Sequence, residues 1–535
     1  MTRALDQAMA RMTRSLRPHV YVLPAAALVV AAFVWMVTCG TGDLLGRESF
    51  GGFYDAQARS LLAGRWDVPR QAILDEAFLR DGKAYGYFGF APALLHLPVV
   101  LLWPGSDGRW SRLSESAACC VSLWYAYQLL LHARTAFGLA PQVDRRSKIL
   151  YSLFLINVGL GSSLIFMASE AYVFHEAIIW GAAFSLASYD YLARYCTTGR
   201  FRWLMCACML GFLAFFSRGS VGTGALTALA LTAVSIAARS FHKKGPDFLN
   251  VLHAEAERRQ EPQIIRWTQR RAAPDPCSAP ESGAAWGSFG TRRPAWHAAI
   301  AAGAVALTLG VFVTINYAKF RTFFDAAPLR LYVQMQTNPQ RLNRVAGKQV
   351  SLSNVRSGAR AYFSPGQIEF QKTFPWVFAT RNARVYPEAR YDLIEPYASL
   401  PASAPATCAL AIAGVIGSFL LHRRSGLWPL ILMLGSFTGA AAPLGADALT
   451  FRYLHDMFPF GVLAGAFGLN AMLLLPGIAR RVALTLLLPA ALFGIWANLS
   501  IAIVYQRVIV NGTPGECRRQ FKDWQQYIDQ HAHAL

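Results

Sequence analysis

Charged residues are scarce in this chain, and acidic residues are the scarcer kind. Aspartate, glutamate, lysine and arginine together make up 15% of its 535 residues, whereas a soluble protein typically carries about 25%. Hydrophobic residues make up 54% of the chain. So little charge cannot cover the surface of the roughly three or four soluble domains that this length would otherwise predict. The composition therefore excludes an ordinary soluble protein.

Long apolar runs take the place of the missing charge. A helix needs about 20 consecutive, mostly apolar residues to cross a bilayer. Eleven runs approach that length: 20–38, 116–137, 149–168, 171–194, 202–217, 221–238, 297–315, 403–421, 427–445, 457–475 and 482–505. A twelfth stretch, 88–103, is shorter and contains Pro92 and Pro98, so we expect a helix that lies in the membrane surface. The predicted fold class is an all-α polytopic membrane protein with about eleven transmembrane helices, juxtamembrane helices and a mixed external loop domain.

Basic residues set the predicted orientation, because short cytoplasmic loops are enriched in lysine and arginine. With the N-terminus inside, eleven spans place every short basic loop on the inner side, including Arg145, Arg146, Arg423 and Arg424. Counting 88–103 as a crossing would move Arg145 and Arg146 outside. The first span reads as a signal anchor. Together with the Ala- and Arg-rich composition, this predicts a bacterial cytoplasmic (inner) membrane and a cytoplasmic N-terminus.

Paired cysteines of the kind that bind zinc are also lacking. None of the nine cysteines forms a Cys-x-x-Cys motif, which excludes the common zinc and thiol-redox motifs. Most lie in apolar runs, where a cysteine is usually a small core residue. Cys39 and Cys517 are both expected on the outer side, and a disulfide between them is left open.

The segments between the spans divide the chain. Residues 1–239 form an N-terminal transmembrane module whose first external loop is 40–115, and 240–296 form a cytoplasmic segment with an amphipathic helix and a flexible linker. A span at 297–315 leads to a large external loop at 316–402, C-terminal spans at 403–505 and an external tail at 506–535. The large loop is basic and aromatic, which suits an anionic lipid headgroup and a sugar, or equally a small folded cap with its own aromatic core. The net charge of +21 is spread over alternate loops, as anionic lipids would require, and no nucleic acid partner is expected.

The first external loop carries an acidic residue on a short predicted helix. That helix covers 54–62 and ends at Gly64, and it holds Asp55 just outside the first span. Glu48 precedes it, and Gly-Arg-Trp-Asp-Val-Pro follows at 64–69 before the surface helix. This order resembles the GT-C superfamily of glycosyltransferases, with its broadest likeness to the protein O-mannosyltransferase and aminoarabinose transferase group. The order of loops and spans resembles this superfamily over the whole chain. The resemblance in individual residues is confined to short stretches.

The resemblance implies an enzyme that moves a sugar from a polyprenyl-phosphate carrier to an acceptor hydroxyl outside the cytoplasmic membrane. It maps the family's first acidic motif onto Glu48 or Asp55, and we favour Asp55 as the general base. In the commonest form of the family the acids are an adjacent Asp-Glu pair, from which this sequence departs. The acceptor would be a glycan, a lipid or a protein.

A second acidic site is expected between the third and fourth spans. Glu170, His175 and Glu176 lie at or inside an apolar boundary, where ionisable residues are costly and usually functional. The alternative is that all three only cap the helix at the headgroup layer.

Two further basic positions fit a phosphate. The resemblance places an arginine near the outer end of a late span, where Arg452 stands with His455 close by, and Arg218 is also external. A guanidinium pairs with phosphate oxygens through two hydrogen bonds, although Arg452 would equally serve as an interfacial anchor. The predicted reaction is one inverting displacement, with no obligatory metal or other cofactor, although a divalent cation stays possible.

Other functions remain open at this stage. A secondary transporter or a flippase of lipid-linked glycans would also be polytopic, but the sequence has no internal repeat of the kind that transporters show. A glycan ligase or polymerase shares the same loop order. A non-catalytic assembly protein would not need acids at the outer ends of its spans.

Overall fold

The computed structural model describes residues 17–48, 50–241, 295–325, 327–509 and 515–532. It is mostly helical, at 71%. The helices are α1 (Leu23–Val37), α2 (Phe53–Leu62), α3 (Arg70–Ile73), α4 (Ala91–Leu102), α5 (Ser111–Ala136), α6 (Arg145–Leu160), α7 (Ser163–Met167), α8 (Val173–Thr198), α9 (Phe201–Phe215), α10 (Gly219–Phe241), α11 (Ala295–Phe320), α12 (Val333–Thr337), α13 (Pro339–Arg344), α14 (Leu352–Phe363), α15 (Leu400–Ser403), α16 (Pro405–Ser425), α17 (Trp428–Ala441), α18 (Tyr453–Asp456), α19 (Phe458–Leu473), α20 (Gly477–Val504) and α21 (Gly515–Ala532).

Six helical stretches in the described ranges are long and apolar enough to cross a membrane: His19–Val37, Arg145–Met167, Gly219–Arg239, Ala295–Phe320, Trp428–Gly445 and Gly477–Val508. Four further apolar helices are shorter: Ala91–Leu102, Phe201–Phe215, Pro405–Leu421 and Phe458–Leu473. The multi-pass membrane class predicted from composition is confirmed. A helix coincides with each of the eleven predicted runs, but six candidate spans do not establish eleven crossings, and that count stays a prediction.

Close helix packing builds the bundle core. Helices α16 and α19 pack along each other, and Gly414 and Gly468 lie at their contact. A Cβ atom at Gly414 would collide with the carbonyl oxygen of Ala464, and one at Gly468 with that of Leu410. Small residues at such positions let helix backbones approach closely in a membrane.

The segments that the sequence predicts to be external are folded and carry all the described strands. They include the first external loop at 40–115 and the large loop at 316–402, which we call the third external segment. An antiparallel pair joins β1 (Phe78–Arg80) to β2 (Lys83–Tyr85), another joins β3 (Glu369–Phe370) to β4 (Val377–Phe378), and a parallel pair joins β5 (Leu393–Ile394) to β6 (Ala448–Leu449). The parallel pair ties the third external segment to the chain that precedes α18. The predicted cytoplasmic amphipathic helix and its linker lie outside the described residues.

Some aromatic residues of the third external segment belong to the core. Tyr362 and Tyr397 are fully buried in the main hydrophobic cluster, and the Tyr362 hydroxyl donates a hydrogen bond of 3.0 Å to the carbonyl oxygen of Thr450. Tyr332 instead lines a polar cavity. Tyr362 and Tyr397 thus behave as residues of a folded cap, whereas Tyr332 faces a cavity. Both alternatives predicted for this segment apply, each to different residues.

Candidate active site

A polar cavity of about 480 Å³ lies beneath the external segments. Its lining comes from five separate parts of the chain: the first external loop, the turn before α8, the third external segment, the stretch around β6 and α18, and Tyr505 just after α20. The charged residues that line it are Glu76, Glu170, Arg341, Arg381, Asp392, Glu395, Asp447 and Arg452. We call this space the central cavity.

The parallel strands β5 and β6 set the geometry of one wall. Leu393 pairs with Ala448 and Ile394 with Leu449, and the Glu395 amide donates a hydrogen bond of 2.9 Å to the Leu449 carbonyl oxygen. This register brings the side chain of Glu395 to Arg452, whose Nη2 atom lies 3.2 Å from Glu395 Oε1. The other carboxylate oxygen of Glu395 is buried and has no hydrogen-bond partner among the described residues.

Arg452 also contacts aromatic residues at the start of α8. Its guanidinium carbon lies 4.8 Å from the ring centroid of Phe174. With one ion pair to Glu395, the guanidinium keeps donors that can reach a ligand in the cavity, since arginine carries five N–H groups. The structure thus places Arg452, a phosphate-binding candidate from the sequence, in the lining of the central cavity.

Glu170 lines the same cavity from the turn between α7 and α8. Within the described ranges its carboxylate makes no hydrogen bond or ion pair. Burial, and then the charge of Glu48, raise the pKa of Glu170 to about 9, while Arg452 acts in the opposite direction. A carboxyl group with such a pKa is mostly protonated at neutral pH and becomes a carboxylate, the form that a general base needs, as the pH rises towards 9.

His175 holds the backbone of that turn. Its Nδ1 atom lies 2.8 Å from the Glu170 carbonyl oxygen and 3.1 Å from that of Met167. Because both partners only accept, Nδ1 is the protonated nitrogen. His175 is buried behind the turn, so it supports Glu170 and does not face the central cavity.

Two further acids of the cavity have raised pKa values. Burial raises the pKa of Glu76, although the Tyr332 hydroxyl, 2.9 Å away, favours its ionised form. Burial, and then the charge of Asp392, raise the pKa of Asp447 to about 7. Asp392 itself is held by Arg341 through two hydrogen bonds of 2.8 and 2.6 Å.

A second group of acids is buried away from this cavity. Asp55 of α2, His96 of α4 and Glu176 of α8 are 1%, 3% and 0% exposed. His96 bridges the two acids, with Nδ1 2.7 Å from Asp55 Oδ1 and Nε2 2.7 Å from Glu176 Oε1. The Gly108 amide donates a hydrogen bond of 2.7 Å to Asp55 Oδ2, from a backbone φ of +77° that favours glycine. We call Asp55, His96 and Glu176 the buried triad.

Glu48 belongs to neither group. It forms an ion pair with Arg112 near the start of α5. Burial raises the pKa of Glu48, and Arg112 partly offsets that effect. Its carboxylate thus fastens the first external loop to α5.

An adjacent cavity of about 490 Å³ contains the other basic candidate. Arg218 Nη2 lies 3.1 Å from Asp456 Oδ2, and Lys319, at the outer end of α11, donates a hydrogen bond of 3.0 Å to the Gly86 carbonyl oxygen. We call this space the side cavity. It shares Tyr87, Gln349 and Tyr453 with the central cavity, and its remaining wall is largely apolar.

The last basic candidate, His455, lies apart from both cavities. It is fully buried, 3.1 Å from the Ser163 hydroxyl, and stacks on Phe458 with ring centroids 4.5 Å apart. These contacts hold α18 against α7.

The candidate residues thus separate into groups. The central cavity brings Glu170 and Arg452 together, Arg218 lines its neighbour, and Asp55 and Glu176 meet in the buried triad. Sequence reasoning missed Glu76, Glu395, Asp447, Lys319 and His96. Glu76 and His96 stand in the same first loop and surface helix as the motif residues, and a histidine within an apolar helix was a usable signal. Nothing in the sequence pairs Glu395 with Arg452.

Metal ligation is the remaining question about the site. Within the described ranges, no group of three or more histidine, cysteine, aspartate or glutamate side chains is arranged to hold a metal ion.

Comparison with known proteins gives structural likeness only. No protein-family model matches the sequence, and no curated protein matches it significantly. The archaeal oligosaccharyltransferase AglB from Archaeoglobus fulgidus, in complex with an inhibitory peptide and a dolichol-phosphate, is 13% identical with a TM-score of 0.45. That alignment covers 94% of this chain and 59% of the oligosaccharyltransferase, so the chain spans less than two thirds of its length. ArnT from Cupriavidus metallidurans, bound to undecaprenyl phosphate, is 12% identical with a TM-score of 0.42, and the alignment covers 95% of this chain and 70% of ArnT.

Both proteins are glycosyltransferases of the GT-C superfamily. Identities of 12–13% and TM-scores of 0.42–0.45 limit the comparison with this chain to its fold.

Proposed function

We propose that this protein is a membrane glycosyltransferase that moves a sugar from a polyprenyl-phosphate carrier to an acceptor hydroxyl, with inversion at the anomeric carbon. The observation that carries the proposal is the central cavity. Glu170, a carboxylate without a partner among the described residues, and the Arg452 guanidinium both line this polar space. A base and a cation in one cavity are what a displacement that releases a phosphate needs.

The side cavity is the proposed entry for the lipid carrier. Its polar end holds Arg218 and Lys319, and its walls include Phe215, Phe312 and Ile315. An isoprenoid chain suits the apolar walls, and a phosphate suits the cationic end. The shared residue Tyr453, whose ring centroid lies 5.5 Å from the Arg218 guanidinium carbon, puts that end next to the central cavity.

The reaction then proceeds in one step. The Glu170 carboxylate takes the proton of the acceptor hydroxyl, and the freed oxygen forms a bond to the anomeric carbon. The bond between that carbon and the phosphate oxygen breaks on the opposite face, and the phosphate leaves on its lipid carrier. Arg452, with Arg218 and Lys319, stabilises the negative charge that develops on the leaving oxygen.

Glu170 suits the role of base better than Asp55, which the sequence alone favoured. Both carboxylate oxygens of Asp55 already accept hydrogen bonds, from His96 and Gly108, and the residue is buried. We propose that Asp55 fixes the first external loop while Glu170 acts on the acceptor. Asp447, with a pKa near 7, is the second choice for the base.

We also propose the topology that the basic loops predict, with eleven spans, the N-terminus inside and the domain boundaries given above. Under it, Glu170, Arg218, Lys319 and Arg452 all belong to the outer side. The reaction would then take place on the outer face of a bacterial inner membrane, as the resemblance implies.

The test is turnover in lipid vesicles. Purified protein is given a panel of radiolabelled polyprenyl-phosphate sugars, with and without a panel of glycan, lipid and protein acceptors. Acceptor-dependent release of free carrier phosphate is measured for wild type, Glu170→Gln and Asp55→Asn. The matched control is Glu388→Gln, an external glutamate that is 48% exposed in a pair with Arg356. We expect turnover in wild type and in the control. The turnover rate should fall by about 10²–10⁴-fold in Glu170→Gln. The product formed by wild type should have the inverted anomeric configuration.

Each other result has a defined meaning. Normal turnover in Glu170→Gln with loss in a well-folded Asp55→Asn returns the base to Asp55. Turnover with water alone as acceptor would indicate a hydrolase. No turnover with any donor overturns the enzyme proposal, and uptake of the same donors into vesicles would then support a transporter or flippase.

A further inference from the structure

The C-terminal helix α21 returns to the outer end of the first span. Trp524 of α21 stacks on Trp35 of α1, with ring centroids 6.0 Å apart and an angle of 11° between the rings. The Arg507 guanidinium carbon lies 4.6 Å from the Trp524 ring centroid and 5.8 Å from that of Trp35. The two ends of the described chain are therefore held together by packed aromatic rings and a cation.

The same helix also reaches the third external segment. Asp529 Oδ1 accepts a hydrogen bond of 2.8 Å from the Phe374 amide, and Gln525 Nε2 donates one of 3.1 Å to the Phe374 carbonyl oxygen. This segment continues into residues that line the central cavity, such as Arg381. Helix α21 thus connects the first span to the cavity wall.

Two cysteines meet at this junction. Cys39 follows α1 directly, in a tight turn where its backbone φ is +54°, and Cys517 stands in the first turn of α21, 6% exposed. Arg507, which lies over the Trp35 ring, donates a hydrogen bond of 3.3 Å to the Cys517 carbonyl oxygen. The two thiols are therefore near each other, and the neighbouring Cys517 contributes to the raised pKa of Cys39. Both are present as free thiols in the structure.

We propose that Cys39 and Cys517 are joined by a disulfide in the mature protein, which locks α21 onto the outer end of the first span. The proposal rests on the packing of Trp35, Trp524 and Arg507, which brings the two cysteines to one junction, and on the proposed topology, which places both outside. It does not depend on the proposed enzymatic activity. Secreted and periplasmic compartments oxidise such pairs, whereas the cytosol keeps them reduced.

The oxidation is a two-electron thiol–disulfide exchange. The Cys39 thiolate first attacks the disulfide of a protein thiol oxidase, which releases one oxidase thiol and forms a mixed disulfide. The Cys517 thiolate then attacks the Cys39 sulfur, the S–S bond between the two residues forms, and the second oxidase thiol leaves. The electron pair and, by way of solvent, the two thiol protons end on the two sulfurs of the oxidase, which leaves as a dithiol.

Timing follows from the environment of the thiols. Burial, and then the neighbouring Cys517, raise the pKa of Cys39 to about 12, so little of the reactive thiolate exists once the helix is docked. The exchange should therefore happen during folding, before α21 covers the site.

Thiol counting in protein from intact cells tests the proposal. Cells are lysed in denaturant with an excess of a maleimide and no reductant, and the protein is digested and analysed by mass spectrometry. We expect two fewer modified thiols than the nine cysteines of the chain, and one cross-linked peptide pair that contains Cys39 and Cys517. Cys120→Ser, which removes an exposed cysteine elsewhere, should leave that pair intact.

Two variants and one stability measurement complete the test. Cys39→Ser should free the Cys517 thiol for labelling, and Cys517→Ser should free Cys39. Wild type should lose thermal stability when reductant is added, down to the value of either variant, and neither variant should respond to reductant. Full labelling of both thiols in wild type would overturn the proposal, as would a cross-link from either cysteine to a different partner.

Discussion

The buried triad gathers acids around His96, and the central cavity gathers acids around Arg452. The two sites differ in how many carboxylate oxygens already have a hydrogen-bond partner. In the triad, His96 bridges Asp55 and Glu176 at 2.7 Å on each side, and of the four carboxylate oxygens Glu176 Oε2 alone lacks a hydrogen-bond partner among the described residues. In the cavity, the described residues give Arg452 one ion pair, with Glu395, and they give Glu170 none.

The difference shows that an acid inside an apolar segment has two possible meanings. The sequence offers Asp55, Glu170 and Glu176 alike as candidate acids, Asp55 on a short helix outside the first span and the other two at the boundary of the fourth. A buried charge is stable when partners occupy its oxygens, and then it holds helices together. A partly buried acid that faces a cavity without a partner keeps its oxygens for a ligand, and its raised pKa is a feature of functional sites.

The largest expected effect comes from breaking the triad. His96→Leu would leave two buried carboxylates without the group that bridges them, and breaking a buried pair typically costs about 3–5 kcal/mol. We expect a large fall in the thermal unfolding temperature in detergent or lipid, together with loose docking of α4 and the first external loop.

The matched control keeps the shape of the triad and removes its charge. In the double variant Asp55→Asn, Glu176→Gln, neutral amides can still bond to a neutral His96, so the loss of stability should be clearly smaller. An equal loss in both variants would mean that the packing of His96, and not its bridging of the acids, holds this region.

Removal of Arg452 should reduce activity more than stability. For Arg452→Gln we expect kcat/KM for the lipid-linked donor to fall by about 10²–10³-fold, the usual cost of losing one group that stabilises developing negative charge. Arg452→Lys should recover part of the activity, because it restores charge without the two-pronged geometry. Arg356→Gln, which removes an exposed external arginine, should leave kcat/KM unchanged, and a similar loss there would point to a general effect of external charge.

The sequence predicted the helices well and the site only in pieces. Apolar runs mark helices because spanning a bilayer demands them, and each predicted run coincides with a helix. The sequence also proposed Glu170 and Arg218 from their position beside spans and Arg452 through the family resemblance, and the roles of all three stay predictions. It did not predict that Asp55 would be enclosed by His96, because that contact joins residues 41 positions apart on two external helices. Likewise, Glu395 reaches Arg452 only through the pairing of β5 with β6, which has two pairs of residues and leaves no periodic signal.

A smaller effect is expected from the ionisation of Glu170 as the pH rises. It should lower the stability of the protein and raise its activity. Its pKa rises from 4.5 to about 9 on folding, so between these values the folded protein holds a proton that the unfolded chain releases. The free energy of unfolding therefore falls as pH rises through this window and levels off above it. Activity should rise over the same range as the carboxylate forms.

The measurement compares wild type with Glu170→Gln from pH 6 to pH 9.5, by thermal unfolding for both and by turnover for wild type. Since Asp447 also titrates in this window, the difference between the two proteins is the quantity that reports on Glu170. If the unfolding temperatures of wild type and Glu170→Gln change with pH in the same way across the whole range, Glu170 has the same pKa in the folded protein as in the unfolded chain.

The smallest effect is expected at the solvent-exposed edge of the triad, where Arg59 of α2 pairs with Asp107. Their atoms Nη2 and Oδ1 are 2.7 Å apart, but the side chains are 41% and 51% exposed, and exposed pairs contribute only about 0–1 kcal/mol. Arg59→Ala should therefore shift the unfolding temperature little, and less still at high salt, where exposed charges are screened. Asp107 precedes Gly108, whose amide bonds to Asp55. If Arg59→Ala lowers the unfolding temperature as much as His96→Leu does, this ion pair fixes the Gly108 amide. The exposed pair would then be part of what holds the buried triad in place.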